Sequence, residues 1–275
     1  MLDFTYIHIL KQNLSCMKKV LTVLGAALVV FSCKQKEEQT NLNGVYKMDS
    51  QTIHAVSNDS LLQTGDNHNQ LKIYGDAHYI WVNMASDSTA GFGIGSYTSK
   101  GSDVVETNIF NSAGVDSAID YSLVVEPNET GYVQKIASMK YNGTDIKIDE
   151  AYSRLKEGAA SDFDGLWKAT NNYFVKGTDT TFQNYPDYKM YNKGTFIWAI
   201  RPLMDTANNK YVSYIGSGSF SVDKDKINEI TSMCNLSGGV PEQNLTIQNR
   251  KEDEFTQVIN QADGRVRYTT YKKVN

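Results

Sequence analysis

The chain is poor in the residues that staple, ligate or interrupt a fold. Its 275 residues include three cysteines, four histidines and four prolines. Cys16 and Cys33 lie near the start, leaving Cys234 as the only thiol in the remainder. One thiol cannot make an internal disulfide, so the fold must stand on a hydrophobic core. No His or basic residue flanks Cys234 to activate it, which reads it as a small strand residue rather than a nucleophile. The histidines His8, His54, His68 and His78 have no Cys or carboxylate at metal-ligand spacing, so no metal site is expected. Lys and Arg do not outnumber Asp and Glu (27 against 31, net charge -4), which argues against nucleic acid as a partner. No apolar run reaches the roughly 20 residues that span a bilayer as a helix. Neither Gly-x-Ser-x-Gly nor a Ser/His/Asp arrangement is readable. The cluster Gly91-Phe92-Gly93-Ile94-Gly95 precedes a strand rather than a helix, so it reads as a bent or bulged strand and not a phosphate cradle. No catalytic residue and no cofactor are assigned, and the chain is read as non-enzymatic.

What the first residues do contain is a targeting pattern. Met17-Lys18-Lys19 is a short basic start, and Val20 to Phe31 is an apolar run of signal-peptide length. The run ends at Ser32-Cys33, and Lys34-Gln35-Lys36-Glu37-Glu38 follows at once. This pattern resembles a bacterial lipoprotein signal, with Val30-Phe31-Ser32-Cys33 as its lipobox; Phe31 departs from the usual small or aliphatic residue. The resemblance implies that Cys33 becomes the acylated first residue, anchoring the protein to the cell envelope, with the outer membrane expected. More than one acyl chain gives firm attachment where a single chain is marginal. Residues 1–32 are therefore read as an upstream extension and signal peptide with Met17 the initiator, and residues 33–41 as a lipidated tether.

The rest of the chain repeats. Asn43-Gly44-Val45-Tyr46-Lys47 aligns with Asp164-Gly165-Leu166-Trp167-Lys168, and Tyr79-Ile80-Trp81 with Phe196-Ile197-Trp198. Gly95-Ser96-Tyr97 meets Gly218-Ser219-Phe220, Glu106 meets Glu229, and Tyr132-Val133-Gln134 meets Phe255-Thr256-Gln257. Further matches reach Tyr152 and Tyr271, all in one order and at offsets of 117 to 123 residues. Such a period is too long for a solenoid repeat and has the size of a domain. The boundaries read as 42–157 and 162–275, each copy with its own core.

Within a copy the patterning is that of strands. Phe196, Trp198 and Ile200 share one face of a run whose other face holds Thr195, Ile197 and Ala199. Asn142-Gly143 and Asp263-Gly264 read as two-residue hairpin turns. Short strands joined by hairpins indicate an all-β class, either an antiparallel sandwich or an up-and-down barrel. Gly165-Leu166-Trp167, and more weakly Gly44-Val45-Tyr46, resemble the Gly-x-Trp signature at the first strand of lipocalin and calycin-like barrels. That resemblance implies two tandem antiparallel up-and-down β-barrels. It also implies a cation from each closing strand over the signature ring, Arg154 over Tyr46 and Lys273 over Trp167. Such a contact contributes about 0.5–2 kcal/mol.

In this frame the ligand-facing candidates are Tyr79, Trp81 and Asn83 in the first copy and Phe196, Trp198 and Ile200 in the second. Glu106 and Glu229 sit among apolar neighbours in matching strands, where they either point inward to a ligand or an interior Tyr, or outward to water. The leading functional expectation is a binding module for a small apolar or glycan ligand. The alternatives are an adaptor lipoprotein with filled barrels and a protein partner, and a hydrolase using Glu106 or Glu229. Five Asp-Ser/Thr pairs, at Ser60, Ser88, Ser117, Thr180 and Thr206, resemble O-glycan acceptors of bacterial envelope proteins, and equally ordinary turn chemistry. The substitution Cys33→Ala is expected to move the protein from the membrane fraction to the soluble fraction; retention in the membrane removes the lipoprotein reading.

Overall fold

The computed structural model describes residues 40–65, 69–114, 118–141, 143–205, 210–236 and 242–275. Cys33, the segment before it, Ser117 and Thr206 lie outside these residues. Every regular element described is a β-strand, and no described helix is long and apolar enough to cross a membrane. The first copy contains β1 (Gly44–Ala55), β2 (Leu61–Gly65), β3 (Gln70–Tyr74), β4 (His78–Met84), β5 (Ala90–Lys100), β6 (Asp103–Asn111), β7 (Ile119–Pro127), β8 (Gly131–Tyr141) and β9 (Thr144–Arg154). Neighbours from β3 to β9 pair antiparallel in chain order. β1 pairs its first residues with β3 and nearly its whole length with β9, which closes a ring of eight strands. β2 is bonded to the second half of β1 at the far end of the ring.

The second copy repeats the plan. It contains β10 (Gly165–Lys176), β11 (Asp179–Phe182), β12 (Asp187–Asn192), β13 (Thr195–Ile200), β14 (Leu203–Asp205), β15 (Lys210–Tyr211), β16 (Tyr214–Asp223), β17 (Lys226–Cys234), β18 (Glu242–Gln248), β19 (Glu254–Asn260) and β20 (Val266–Lys273). β10 takes the place of β1, pairing with β12 and β11 on one edge and closing the ring on β20. β14 and β15 form a small separate hairpin between β13 and β16. The fold is therefore all-β, two closed eight-stranded up-and-down barrels in tandem, and closure leaves neither ring with a bare edge.

Bulges at matching places bend both walls. β1 shifts register at Met48/Ser50 and β10 at Ala169/Asn171. β5 shifts at Ile94/Gly95 and β16 at Ser217/Gly218. A Cβ on Gly95 would lie 1.9 Å from the Thr107 carbonyl oxygen, and one on Gly218 2.0 Å from that of Ile230. Only glycine admits so close a backbone approach. One turn departs from the sequence expectation. Asp263-Gly264 is part of a longer connection between Asn260 and Val266, where Gly264 N donates to the Gln261 carbonyl (3.1 Å) and Gln261 N to that of Arg265 (2.7 Å). Only Gly264 takes positive φ there, so the loop is a three-residue-type turn with a left-handed glycine rather than a two-residue hairpin. Ser60, Ser88 and Thr180 are exposed.

Each barrel has its own interior cluster, around Tyr46, Tyr74, Tyr79, Leu123, Tyr132 and Tyr152 in the first and Trp167, Tyr191, Phe196, Ile227, Leu245 and Phe255 in the second. A third cluster lies between the barrels. It joins the outward side chains Val45, Ile73, Ile80, Val82 and Phe92 to Leu166, Met190, Ile197, Ala199 and Ile215. β4 packs against β13 and β5 against β16, so equivalent strands of the two copies face one another. Phe110 stacks on Tyr188 at 5.1 Å between ring centroids, and Arg201 Nη1 donates to the Asn111 carbonyl at 2.6 Å across the same seam. The two copies thus have separate cores and also share one. Ile80 is fully buried in that seam, and Ile80→Ala is expected to lower unfolding free energy by about 2–4 kcal/mol. Leu61→Ala, at a residue 57% exposed, is expected to change it by less than about 0.5 kcal/mol. Denaturant titration of both variants checks the difference.

Candidate ligand-binding cavities

The site begins at the closed end of each barrel. Tyr46 and Arg154 are register partners on β1 and β9, and Trp167 and Lys273 on β10 and β20. The Arg154 guanidinium lies 5.6 Å from the Tyr46 ring centroid, and the Lys273 ammonium 5.4 Å from that of Trp167. The preceding glycine makes room for the cation. A Cβ on Gly44 would come within 2.9 Å of the Arg154 guanidinium, and one on Gly165 within 2.7 Å of Lys273 Cε. Arg154 also donates to the Asn43 carbonyl (2.7 Å), and the Trp167 indole to that of Phe163 (2.7 Å). Tyr132 packs on Tyr46 and Phe255 on Trp167, each with centroids 4.8 Å apart, so aromatic rings plug this end.

Above the plug each barrel holds a buried lysine. Strand alternation turns Gln70, Lys72 and Tyr74 inward on β3, and Asp187, Lys189 and Tyr191 inward on β12. Lys72 reaches Glu106 Oε1 at 2.5 Å and Gln134 Oε1 at 3.0 Å. Lys189 reaches Glu229 Oε1 at 2.8 Å and Gln257 Oε1 at 3.0 Å. The Tyr74 hydroxyl donates to Glu106 Oε1, and the Tyr191 hydroxyl to Glu229 Oε1 at 2.6 Å. Burial pushes both hydroxyls well above the ordinary tyrosine range, with the neighbouring carboxylate acting in the same direction, so they remain donors. Both contacts to each glutamate fall on Oε1, and no described residue donates to either Oε2.

These glutamates line cavities that extend toward the open ends. The first has a volume of about 330 Å³ and is walled by Tyr79, Trp81, Glu106, Tyr121, Glu150 and Tyr152 among others. The second, about 450 Å³, is walled by Asp187, Lys189, Trp198, Ile200, Glu229 and Arg267 among others. Both fall in the range of small-molecule pockets. Trp81 lies across Gly93 and Trp198 across Gly216; a Cβ on either glycine would stand 2.4 Å from the indole. The glycines of the β5 and β16 walls therefore seat the tryptophans.

The sequence candidates fall as follows. Tyr79, Trp81 and Glu106 line the first cavity, and Trp198, Ile200 and Glu229 the second. Asn83 points inward but is held by Gln70 Oε1 at 3.1 Å and does not wall the cavity. Phe196 is fully buried in the second barrel's interior cluster, below the cavity. The sequence reading missed Lys72, Lys189, Gln134, Gln257, Glu150, Asp187 and Arg267. A signal was present: Lys-x-Tyr recurs at residues 72–74 and 189–191, at an offset already found between the copies.

The interiors then diverge. Glu150 accepts from Gln51 Nε2 (2.8 Å), Gln134 Nε2 (2.9 Å) and the Tyr152 hydroxyl (2.9 Å). Its register counterpart in the second barrel is Thr269. There Asp187 stands where the first barrel has Gln70, and pairs with Arg267 at 2.9 Å while accepting from the Tyr271 hydroxyl at 3.0 Å. Burial raises both the Glu150 and Asp187 carboxyls; Lys72 opposes this for Glu150, and Arg267 for Asp187. Burial likewise raises the Cys234 thiol, which is the opposite of what a nucleophile needs. Among the described residues no group of three or more His, Cys, Asp or Glu side chains is placed to hold a metal.

No protein-family model matches the chain, and no curated protein matches it. Among solved structures it is similar to a lipocalin-like protein from Bacteroides uniformis, with 11% identity and a TM-score of 0.29 over 42% of this chain and all of that one. It is also similar to an uncharacterized protein from Bacteroides eggerthii, with 13% identity and a TM-score of 0.27 over 41% of this chain and 99% of that one.

Removing one partner of a buried ion pair leaves the other charge unpaired. Lys189→Met is therefore expected to destabilise the protein by about 3–5 kcal/mol, and the double variant Lys189→Met/Glu229→Leu to recover most of that loss. A double-mutant cycle by chemical denaturation measures both.

Proposed function

We propose that this protein is a lipid-anchored, non-enzymatic binding protein of the cell envelope, holding one small ligand in each barrel. The ligand has an apolar body and a head that donates a hydrogen bond. The observation that supports this is the one-sided use of the buried glutamates. In both copies Oε1 is taken by a lysine and a tyrosine, no described residue donates to Oε2, and the glutamate lines the cavity. A carboxylate oxygen to which no described residue donates suits a ligand hydroxyl or amine. The indoles of Trp81 and Trp198 supply the apolar wall. The non-enzymatic reading is supported by the same glutamates, since each is held in a lysine ion pair rather than poised as a general acid. A cavity in each barrel favours a binder over an adaptor with filled barrels. Native mass spectrometry of protein purified from its own cells is expected to find a small organic molecule retained beyond the lipid. Titration with such molecules is expected to shift tryptophan fluorescence. No retained mass, together with no fluorescence response to a broad panel of small alcohols, amines and saccharides, overturns the binding reading and leaves the adaptor.

A further inference from the structure

The two cavities are copies of one plan but differ in charge. Four carboxylates are buried among the described residues: Glu106, Glu150, Asp187 and Glu229. Three of them meet a cation within 3 Å, namely Glu106 with Lys72, Asp187 with Arg267 and Glu229 with Lys189. Glu150, 7% exposed, forms no ion pair with a described residue, although the charge of Lys72 acts on it. Its three neighbours are two amide N–H groups and a tyrosine hydroxyl, an all-donor set that suits the ionised carboxylate. The Tyr152 hydroxyl is committed to this role because it accepts from Gln70 Nε2 at 2.6 Å.

Among the described residues Lys72 is the only base walling the first cavity, against Glu106 and Glu150, so their charges leave one negative in excess. In the second barrel the acid at position 187 arrives together with the base at position 267, Thr269 replaces the lone acid, and Arg265 adds a further base to the wall, so that cavity has no negative excess. One further feature of the first cavity suits a ligand that donates a hydrogen bond. Glu106 Oε2 accepts no hydrogen bond from a described residue, and Glu150 lies on the same cavity wall. Around these groups stand Trp81, Tyr79 and Tyr121, whose ring faces attract a positive charge.

Building on the binding reading above, we propose that the first barrel selects ligands whose buried head is a positively charged nitrogen, such as a primary ammonium, while the second barrel shows no such preference. The ammonium supplies the charge that Glu150 lacks and donates to Glu106 Oε2, while the apolar body lies along Trp81.

The test uses octylammonium, octanol and octanoate, which share one chain and differ in head charge, added to the full chain. Binding is followed by NMR at the Trp81 and Trp198 indole N–H signals, each assigned with its Trp→Phe variant. At Trp81, octylammonium is expected to bind at least about tenfold tighter than octanol, since charge-assisted hydrogen bonds exceed neutral ones. Octanoate is expected to be the weakest of the three there. At Trp198 the ammonium is expected to show no advantage over the alcohol. Glu150→Gln, which keeps the size of the side chain and removes its charge, is expected to lower the octylammonium-to-octanol affinity ratio at Trp81 to that at Trp198. Equal affinity of octylammonium and octanol at Trp81 in the unmodified protein overturns the charge proposal while leaving the barrels as binding modules. An equal preference for the ammonium at both indoles, or its persistence in Glu150→Gln, overturns the role given to Glu150. If none of the three compounds perturbs either indole, the proposal and the binding reading beneath it both fall.

Discussion

A lysine ammonium buried in the middle of a small barrel constrains everything around it. Taking a charge out of water is expensive, and it persists only where counter-charge and hydrogen bonds surround it. Lys72 and Lys189 each gather a glutamate and a glutamine from strands across the ring, and a tyrosine two residues along bonds the same glutamate oxygen. A polar knot of this size cannot be packed over with aliphatic side chains without stranding its remaining acceptors. The space above it stays open, and the cavity is the consequence. Buried ion pairs are weak evidence of stability, since an apolar replacement of the same shape is often as stable. Two copies of the same knot are better explained by what it holds than by what it stabilises.

The knot also needs a rigid ring, and the closed end provides it. The Gly-x-aromatic step at the start of β1 and β10 works as a three-part joint: the ring fills the bottom of the barrel, the glycine leaves a gap, and the cation of the closing strand lies in that gap over the ring. Ring closure and floor are thereby set at one place in the chain. The outer face beside the joint is what the other copy covers. Val45 and Leu166, Ile73 and Met190, Ile80 and Ile197, and Val82 and Ala199 are equivalent residues of the two copies, and all belong to the seam. An interface in which the same patch meets itself is the geometry of a two-fold dimer. Here it is formed within one chain, which accounts for equivalent strands facing one another.

Much of this was legible in the sequence, for identifiable reasons. The repeat was visible because glycines at forced approaches and aromatics at the floor change little between the copies, as at Gly95 and Gly218 or Tyr46 and Trp167. The inward face of β4 and β13 was visible because Tyr79 and Trp81, and Phe196 and Trp198, alternate with smaller residues. The buried lysines were not, since a lysine alternating with apolar residues in a strand reads as solvent-facing, and only its recurrence beside a tyrosine argues otherwise. The seam was hidden for a related reason. Apolar residues on both faces of a strand say that both are covered but not by what. The Asp263-Gly264 turn was misjudged because that dipeptide serves both the two-residue turn and the longer loop closed by a left-handed glycine, and only strand register separates them.

The two interiors diverge unevenly along the barrel axis. Moving from the floor toward the open end, the first pairs of equivalent residues are alike: Tyr46 and Trp167, Tyr132 and Phe255, Tyr74 and Tyr191, Lys72 and Lys189, Gln134 and Gln257. Beyond the lysine several pairs part: Gln70 against Asp187, Gln51 against Asn172, Glu150 against Thr269, and Ile148 against Arg267, though Ile136 and Ile259 stay alike. If the interior polar groups served only folding, nothing would confine the changes to one end, because burial is as deep at Asp187 as at Lys189. A conserved floor with a variable upper wall is what results when the floor must keep the ring closed and the upper wall meets something that differs between the two barrels. The changes on the second side are also chemically matched, an acid and a base appearing together within 3 Å, whereas the acid on the first side stands alone. That asymmetry follows if one barrel supplies a base for each of its acids and the other receives the missing positive charge from a guest.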